Sequence, residues 1–326
     1  MPQSRVRTLP AFLAGLALVL VAPRCAFAQA WTPARGQGTF SLSYEYLNVA
    51  KHLFSSDVLN GVTLDNGTTV QGNEADLGHI TAQTVLVNVE YGILDRLAAN
   101  ADVAFVQSKY DGVGAESSLD NGSYHGGFQD LTLSLRYMAI RNPVVVTPDI
   151  AVVIPTNDYA TLGHTAVGTG LHEFHAGLSV GRVLWSFLPD GYIHGHAAFV
   201  WSEQVMHENL NREMADLEVG YYLTPGFLLR AFGDYSHTLG GIDWLYDINS
   251  QMTFEDHDAA SRVTYRRVGG GLGVALGPFQ TLFASVSTVV SGANTHKGTG
   301  YTIGTSRSLS GFGLPTRGRP TPQTQP

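Results

Sequence analysis

From Asp130 to Tyr137 the chain alternates without a slip. Leu131, Leu133, Leu135 and Tyr137 fall on one side, and Asp130, Thr132, Ser134 and Arg136 on the other. Successive side chains of a strand face opposite ways, so this stretch is one strand with an apolar and a polar face. Such a strand suits a half-buried sheet in water or a wall between lipid and a wet interior. Recurrence decides between them. Segments 40–46, 85–91, 97–105, 150–154, 174–180, 193–201, 217–223, 227–231, 268–274 and 282–290 repeat the pattern, with Leu86 and Val153 out of phase. Segment 301–312 adds a weak last copy. The pattern predicts about twelve strands, each near the ~9–11 residues that a tilted membrane strand requires.

The gaps are sized in a second, independent pattern. Short connections are expected at 92–95, 139–143, 186–190, 224–226 and 277–280, and long polar ones at 51–77, 110–126, 155–169, 202–212, 238–260 and 291–299. They alternate long and short, as in outer-membrane barrels with short periplasmic turns and longer extracellular loops. Tyr91, Tyr137 and Tyr221 each stand just before a short turn on the apolar face, where an aromatic girdle belongs. The expected fold is therefore all-β, a transmembrane antiparallel up-and-down β-barrel with both mature termini periplasmic.

What precedes the strands agrees. Arg5 and Arg7 lead into an apolar run over 9–22, closed by Ala26-Phe-Ala28, the pattern of a secretory signal peptide. The expected division is a signal peptide at 1–28, an outer-membrane barrel at 29–312 and a disordered Pro/Thr/Arg-rich tail at 313–326. Cys25, the single cysteine, leaves with the signal, which excludes disulfides and cysteine–metal sites. The formal charge is −8, and losing Arg5, Arg7 and Arg24 makes the mature chain more acidic still. That balance excludes nucleic acid as a partner. After the signal, no apolar run reaches the ~18 residues of a membrane helix.

Three short motifs carry a family resemblance: Tyr91-Gly-Ile-Leu-Asp-Arg-Leu97, Gly127-Phe-Gln-Asp-Leu-Thr-Leu-Ser-Leu-Arg-Tyr137 and Ile154-Pro-Thr-Asn-Asp158. They resemble the turn, strand and strand-exit motifs of the meta-pathway of phenol degradation (MetA-pathway) family of outer-membrane barrels. Asn157 stands where that family more usually has glycine, and Phe312 is followed by a tail where such barrels normally end in an aromatic residue. The resemblance implies a channel or transporter passing small aromatic or hydrophobic molecules. The partners expected are outer-membrane lipid and lipopolysaccharide, a small-molecule solute and the barrel-assembly machinery. No cofactor and no catalytic residue is implied. A lipid-hydrolase barrel, with His164 near Thr161 and Thr165, and a structural or adhesion barrel are the alternatives.

On the inward face the alternation places Glu90, Asp102, Asp130, Arg136, Asp149, Glu173, His175, His194, His196, Glu218, Arg230, Asp234 and Arg267. Charges away from water must pair or line a wet passage, so these are the candidate lumen-lining residues. Antiparallel pairing across the turn after Ser186 brings His175 near His196, and with His194 and Glu173 these would suit Zn²⁺. Histidines hydrogen-bonded in a polar lumen are the simpler reading, and no metal is expected. The acidic 255–258 cluster reads as a solvated loop run. Gly269-Gly-Gly-Leu-Gly273 lies in a strand pattern and leads to no helix, so it is not a nucleotide loop; inward glycines make room in the wall. Residues 51–77 carry Leu53, Phe54, Val58, Leu59, Val62, Leu64 and Val70. Folding of part of that loop against or into the mouth as a constriction is expected, with a hairpin extended above the membrane and turning at Asn66-Gly67 as the competing arrangement.

Overall fold

The computed structural model describes residues 30–63, 67–112, 120–159, 163–184, 188–247 and 260–310. The expected signal peptide, the C-terminal tail, Phe312, Thr161, Asn66 and the acidic 255–258 cluster lie outside those residues.

Twelve long strands follow one another: β1 (Gln37–Leu53), β2 (Gly78–Leu94), β3 (Leu97–Gly112), β4 (Leu131–Tyr137), β5 (Val145–Ile154), β6 (Glu173–Val183), β7 (Gly191–Ser202), β8 (Arg212–Thr224), β9 (Phe227–Thr238), β10 (Thr264–Ala275), β11 (Gln280–Ala293) and β12 (Thr295–Ser310). Each pairs antiparallel with its neighbours in sequence, and β12 returns onto β1 from Gln37↔Ser310 to Leu53↔Thr295. Closure leaves no open edge, which is what a sheet in lipid requires. No helix among the described residues is long and apolar enough to cross a membrane, and the crossing is made by strands.

The alternation read from sequence is the alternation of the wall. Leu42, Val89, Leu133, Ile150, Leu178, Leu217, Leu229, Leu272, Leu282 and Ile303 are all exposed on the outside. A belt of large apolar side chains around a closed barrel is unfavourable in water and fits lipid, so the protein is an outer-membrane β-barrel. Val153, out of phase in the sequence, faces inward as an apolar patch beside Glu173.

The connections are loops L1 (54–77), L2 (113–130), L3 (155–172), L4 (203–211), L5 (239–263) and L6 (294), alternating with short turns at the other end. Small ladders decorate the loop end: Glu74–Ala75 pairs with β1, His125–Phe128 with β3, and Gln204–Val205 with Glu208–Asn209. L6 departs from expectation. The long loop foreseen at 291–299 is strand on both sides of Asn294, a residue at φ 49°. Above Thr288↔Thr299 the two arms separate, β11 continuing along β10 and β12 along β1. Each arm keeps its ladder with its other neighbour and so stays strand where a loop-length rule foresees a loop.

L1 folds against the mouth, held by the bond from Ser55 to Asp243 and by the ladder of Glu74–Ala75 with β1. Its base is buried, with Leu53 and Val70 only 2% and 1% exposed, while Val58 and Val62 are exposed and Thr63 bridges Thr69. None of its described residues lines a cavity of the lumen.

Candidate functional site: the barrel lumen

Opposite the apolar belt, most of the charged residues picked out by the alternation find a partner of opposite charge. Glu90 pairs with Arg136 across β3. Arg212 grips both oxygens of Glu173 at 2.6 and 2.7 Å, and His175 adds a contact at 2.9 Å. Arg230 reaches Glu218 at 3.0 Å, which also accepts from the Tyr192 hydroxyl at 2.6 Å. Arg267 donates to Asp234 at 2.7 Å. Asp102 accepts from Asn88 and Asn100, and Asp130 accepts from the Tyr159 hydroxyl. Pairing removes the cost of a lone charge in a narrow lumen.

The histidines are arranged differently from the sequence expectation. His175 pairs in register with Val200, and His196 with Ser179. Four residues of strand, ~13 Å at ~3.3 Å each, separate His175 from the position opposite His196. His196 sits between Asp149 and Asp216, at 3.2 Å from each, with one ring nitrogen toward either carboxylate. His194 lies 3.8 Å from Asp216. Among the described residues no group of three His, Cys, Asp or Glu side chains is placed to hold a metal. Gly177 makes the cluster fit: a Cβ there would fall 2.5 Å from His196 Nε2 and 2.7 Å from Asp149 Oδ2.

Asp216 and Arg212 were missed because strand β8 begins earlier than its apolar run suggests. Both are in phase with Glu218, and stepping back by twos from it would have found them. Glu45, inward on β1, and Tyr192, inward on β7, complete the polar lining.

Two obstructions stand in the lumen. The first is a finger of L3, residues 163–169. Thr165 is 1% exposed, and its carbonyl accepts from Ser108 Oγ at 2.8 Å and lies 2.8 Å from His125 Nε2. Val167 packs on Ala104 and Val106 of β3. His164 stacks on Tyr110 at 4.4 Å with its Nδ1 3.0 Å from Asp120. His164 thus points into the mouth, not onto the outer wall where a lipid hydrolase would act. Its ring meets His52 at 5.4 Å; His52 in turn meets His296 at 4.6 Å, and Trp244 of L5 covers them at 5.9 and 5.3 Å. L5 is tied down by Asp243, which accepts from Ser55 at 2.8 Å and Arg262 at 2.7 Å. Burial pushes the Asp243 carboxyl up, but the hydrogen bonds from Ser55, the Leu245 amide and Arg262 outweigh it and hold the group below the usual carboxylate range.

The second obstruction is at the end opposite the long loops. Residues 30–35, ahead of β1, cross the mouth of the barrel. Ala30 is fully buried against Met138 and Val145, and its carbonyl accepts from Thr147 Oγ1 at 2.6 Å. Trp31 packs its ring against Tyr192 at 6.3 Å, near Leu228 and Tyr222. On the far side the Gly36 amide donates to the Gly92 carbonyl at 2.9 Å. Room is made by Gly181, where a Cβ would fall 2.7 Å from both Ala30 and Trp31.

Around and below the finger the lumen holds three adjoining chambers. One, of about 570 Å³, is lined by polar groups including Asp130, Glu173, His175 and Arg212. A second, of about 320 Å³, has walls of Leu47, Val49, Ile80, Ala82, Val106 and Val289, and His164, Ala166 and His296 border both. Glu45, Arg267 and Ser287 join it to a third of about 340 Å³, lined by His194, Asp216, Glu218, Arg230 and Asp234. Glu218 then meets Tyr192, and Tyr192 meets Trp31.

These features define a transmembrane β-barrel with a polar, partly obstructed lumen. The chain superimposes on an outer membrane channel from Pseudomonas putida F1 with a TM-score of 0.62 at 13% identity, covering 86% of this chain and 98% of that one. Weaker likenesses are to the NanC porin (TM-score 0.45, 10% identity, 82% and 98% covered) and the Pseudomonas putida toluene transporter TodX (0.40, 9%, 87% and 92%). The first supports the fold; at this identity it carries nothing further. No family model matches the chain. No curated protein matches it either.

Proposed function

We propose that the barrel is an outer-membrane channel for small molecules of about one ring in size, apolar or aromatic with a polar group. The observation that carries this reading is the apolar-walled chamber beside the L3 finger, which shares lining residues with two charged chambers. Its volume, about 320 Å³, lies at the lower end of the ~300–1,000 Å³ typical of small-molecule sites. A compact ring can shed water against Leu47, Ile80 and Val106 while its polar group stays within reach of Arg267 or His164. The motifs at 91–97, 127–137 and 154–158 support placing the chain with the meta-pathway of phenol degradation barrels. The likeness to the toluene transporter is too distant to add support.

Proteoliposomes carrying the full chain, transferred into an isotonic hydroxylated single-ring solute, should swell faster than protein-free liposomes. A trisaccharide of larger cross-section should give no such increase. Equal rates for both solutes would reject selection by the lumen, and swelling no faster than in bare liposomes would reject passage.

A further inference from the structure

The chain has three lysines, and two of them stand side by side on the outer wall. Lys51 of β1 pairs directly with Lys297 of β12. Glu45, Leu47 and Val49 face inward, so Lys51 would follow them; the bulge between Val49 and Lys51 turns it out instead. His52 and His296, the next pair up, point back into the lumen. Like charges placed opposite one another on one face repel. One carboxylate answers both: Glu74, brought by L1, bonds Lys51 at 2.9 Å and Lys297 as well. The hydrogen bond from Lys297, with that from Lys51, holds the Glu74 carboxyl below the usual carboxylate range. Two ammonium groups and one carboxylate leave a net positive charge.

Beneath this trio the same outward face carries Tyr46 paired with Tyr301, which is 55% exposed. Lysines and tyrosines line one groove of about 480 Å³, with Thr288 at its floor. Tyrosines of a barrel sit at the boundary between acyl chains and headgroups. Four residues up a strand tilted by about 45° is a rise of ~9 Å, so the ammonium pair stands at headgroup height. Arg266, outward on β10 over the Tyr235 ring at 5.6 Å, adds a further cation to the same side of the wall.

We propose that this groove binds the phosphorylated glycolipid headgroup of lipopolysaccharide. Lys51 and Lys297 hold a phosphate between them, displacing part of their contact with Glu74, and acyl chains lie along Tyr46 and Tyr301. The charge, the groove and the height each fit a phosphomonoester on a lipid of the outer leaflet.

Native mass spectrometry of the full chain, in detergent micelles containing diphosphoryl lipid A, tests it. The wild type should retain the lipid, and Lys51→Ala with Lys297→Ala should lower retention about tenfold. Glu74→Gln should raise retention several-fold, because the competing carboxylate is gone, whereas a merely structural trio would lose binding in all three changes. Lipid A stripped of its phosphates should bind wild type and double variant alike and poorly. Heat-modifiable migration confirms folding, and the single Lys297→Gln change, expected to weaken retention several-fold, serves if the double variant does not fold. Retention unchanged by the lysine substitutions, equal retention of stripped lipid, or Glu74→Gln weakening the complex would overturn the proposal. Inorganic phosphate binding with the same lysine dependence, while lipid A does not bind, would overturn the lipid as its source.

Discussion

A chain lacking residues 163–169, rejoined through a short glycine linker, should conduct several-fold more current per channel than the intact one, and Trp31→Gly should raise it further. The finger of L3 stands between the first two chambers, since His164 and Ala166 border both. Trp31 closes the far end against Tyr192. Obstructions in series limit one another, so each single change is capped by the obstruction that remains, and the combined change should exceed the sum of the two. Gly181→Val should reproduce Trp31→Gly by a different route. A branched side chain there has no room beside Ala30 and Trp31 and displaces the segment from below. Planar-bilayer recordings of the four variants are the check, and unchanged single-channel conductance in the combined variant would show that neither element blocks the path.

Leu133→Arg should prevent or severely impair folding, whereas Ser134→Arg should leave a folded barrel with altered ion selectivity. Leu133 is 40% exposed on the outer belt, between Ala101 of β3 and Val152 of β5. An arginine near the bilayer midplane on the lipid face costs ~2–4 kcal/mol. Ser134 points the other way, between Asn100 and Ala151, where an added guanidinium meets the wet lumen and its carboxylates. Heat-modifiable migration and urea unfolding in lipid vesicles separate the two outcomes. Equal loss of folded protein in both variants would mean that the faces are assigned wrongly.

The wall was legible because a membrane forces period two on every strand: lipid on one side and water on the other leave Leu133 and Ser134 no other placement. Charged residues named from that period, such as Glu90 with Arg136 and Glu218 with Arg230, therefore share the face opposite the belt and pair there. What the alternation does not encode is height. The pairing of His196 with Asp149 and Asp216, and the separation of His175 from it, follow from register and from the tilt of the strands. The elements within the barrel were illegible for a further reason. Residues 163–169 have no period, and their anchors, Ser108, His125 and Asp120, are distant in sequence. The segment ahead of β1 has no strand pattern, yet one indole makes an obstruction when Gly181 leaves room for it and Thr147 anchors the neighbouring Ala30. The large apolar Trp31 in a stretch otherwise left to water was the available signal. At L6 the loop-length pattern misled because the separated arms of β11 and β12 each lean on another neighbour.

The reading of the lumen as a path for ring-sized molecules rests on its apolar-walled chamber. Single-channel recording of the intact chain in a planar bilayer, with a small phenol added, tests that most directly. The chamber predicts discrete, small conductance steps that dim reversibly as the phenol occupies it. A correctly folded barrel that gives no steps, or steps that ignore the phenol at concentrations that saturate the lipid, would contradict it.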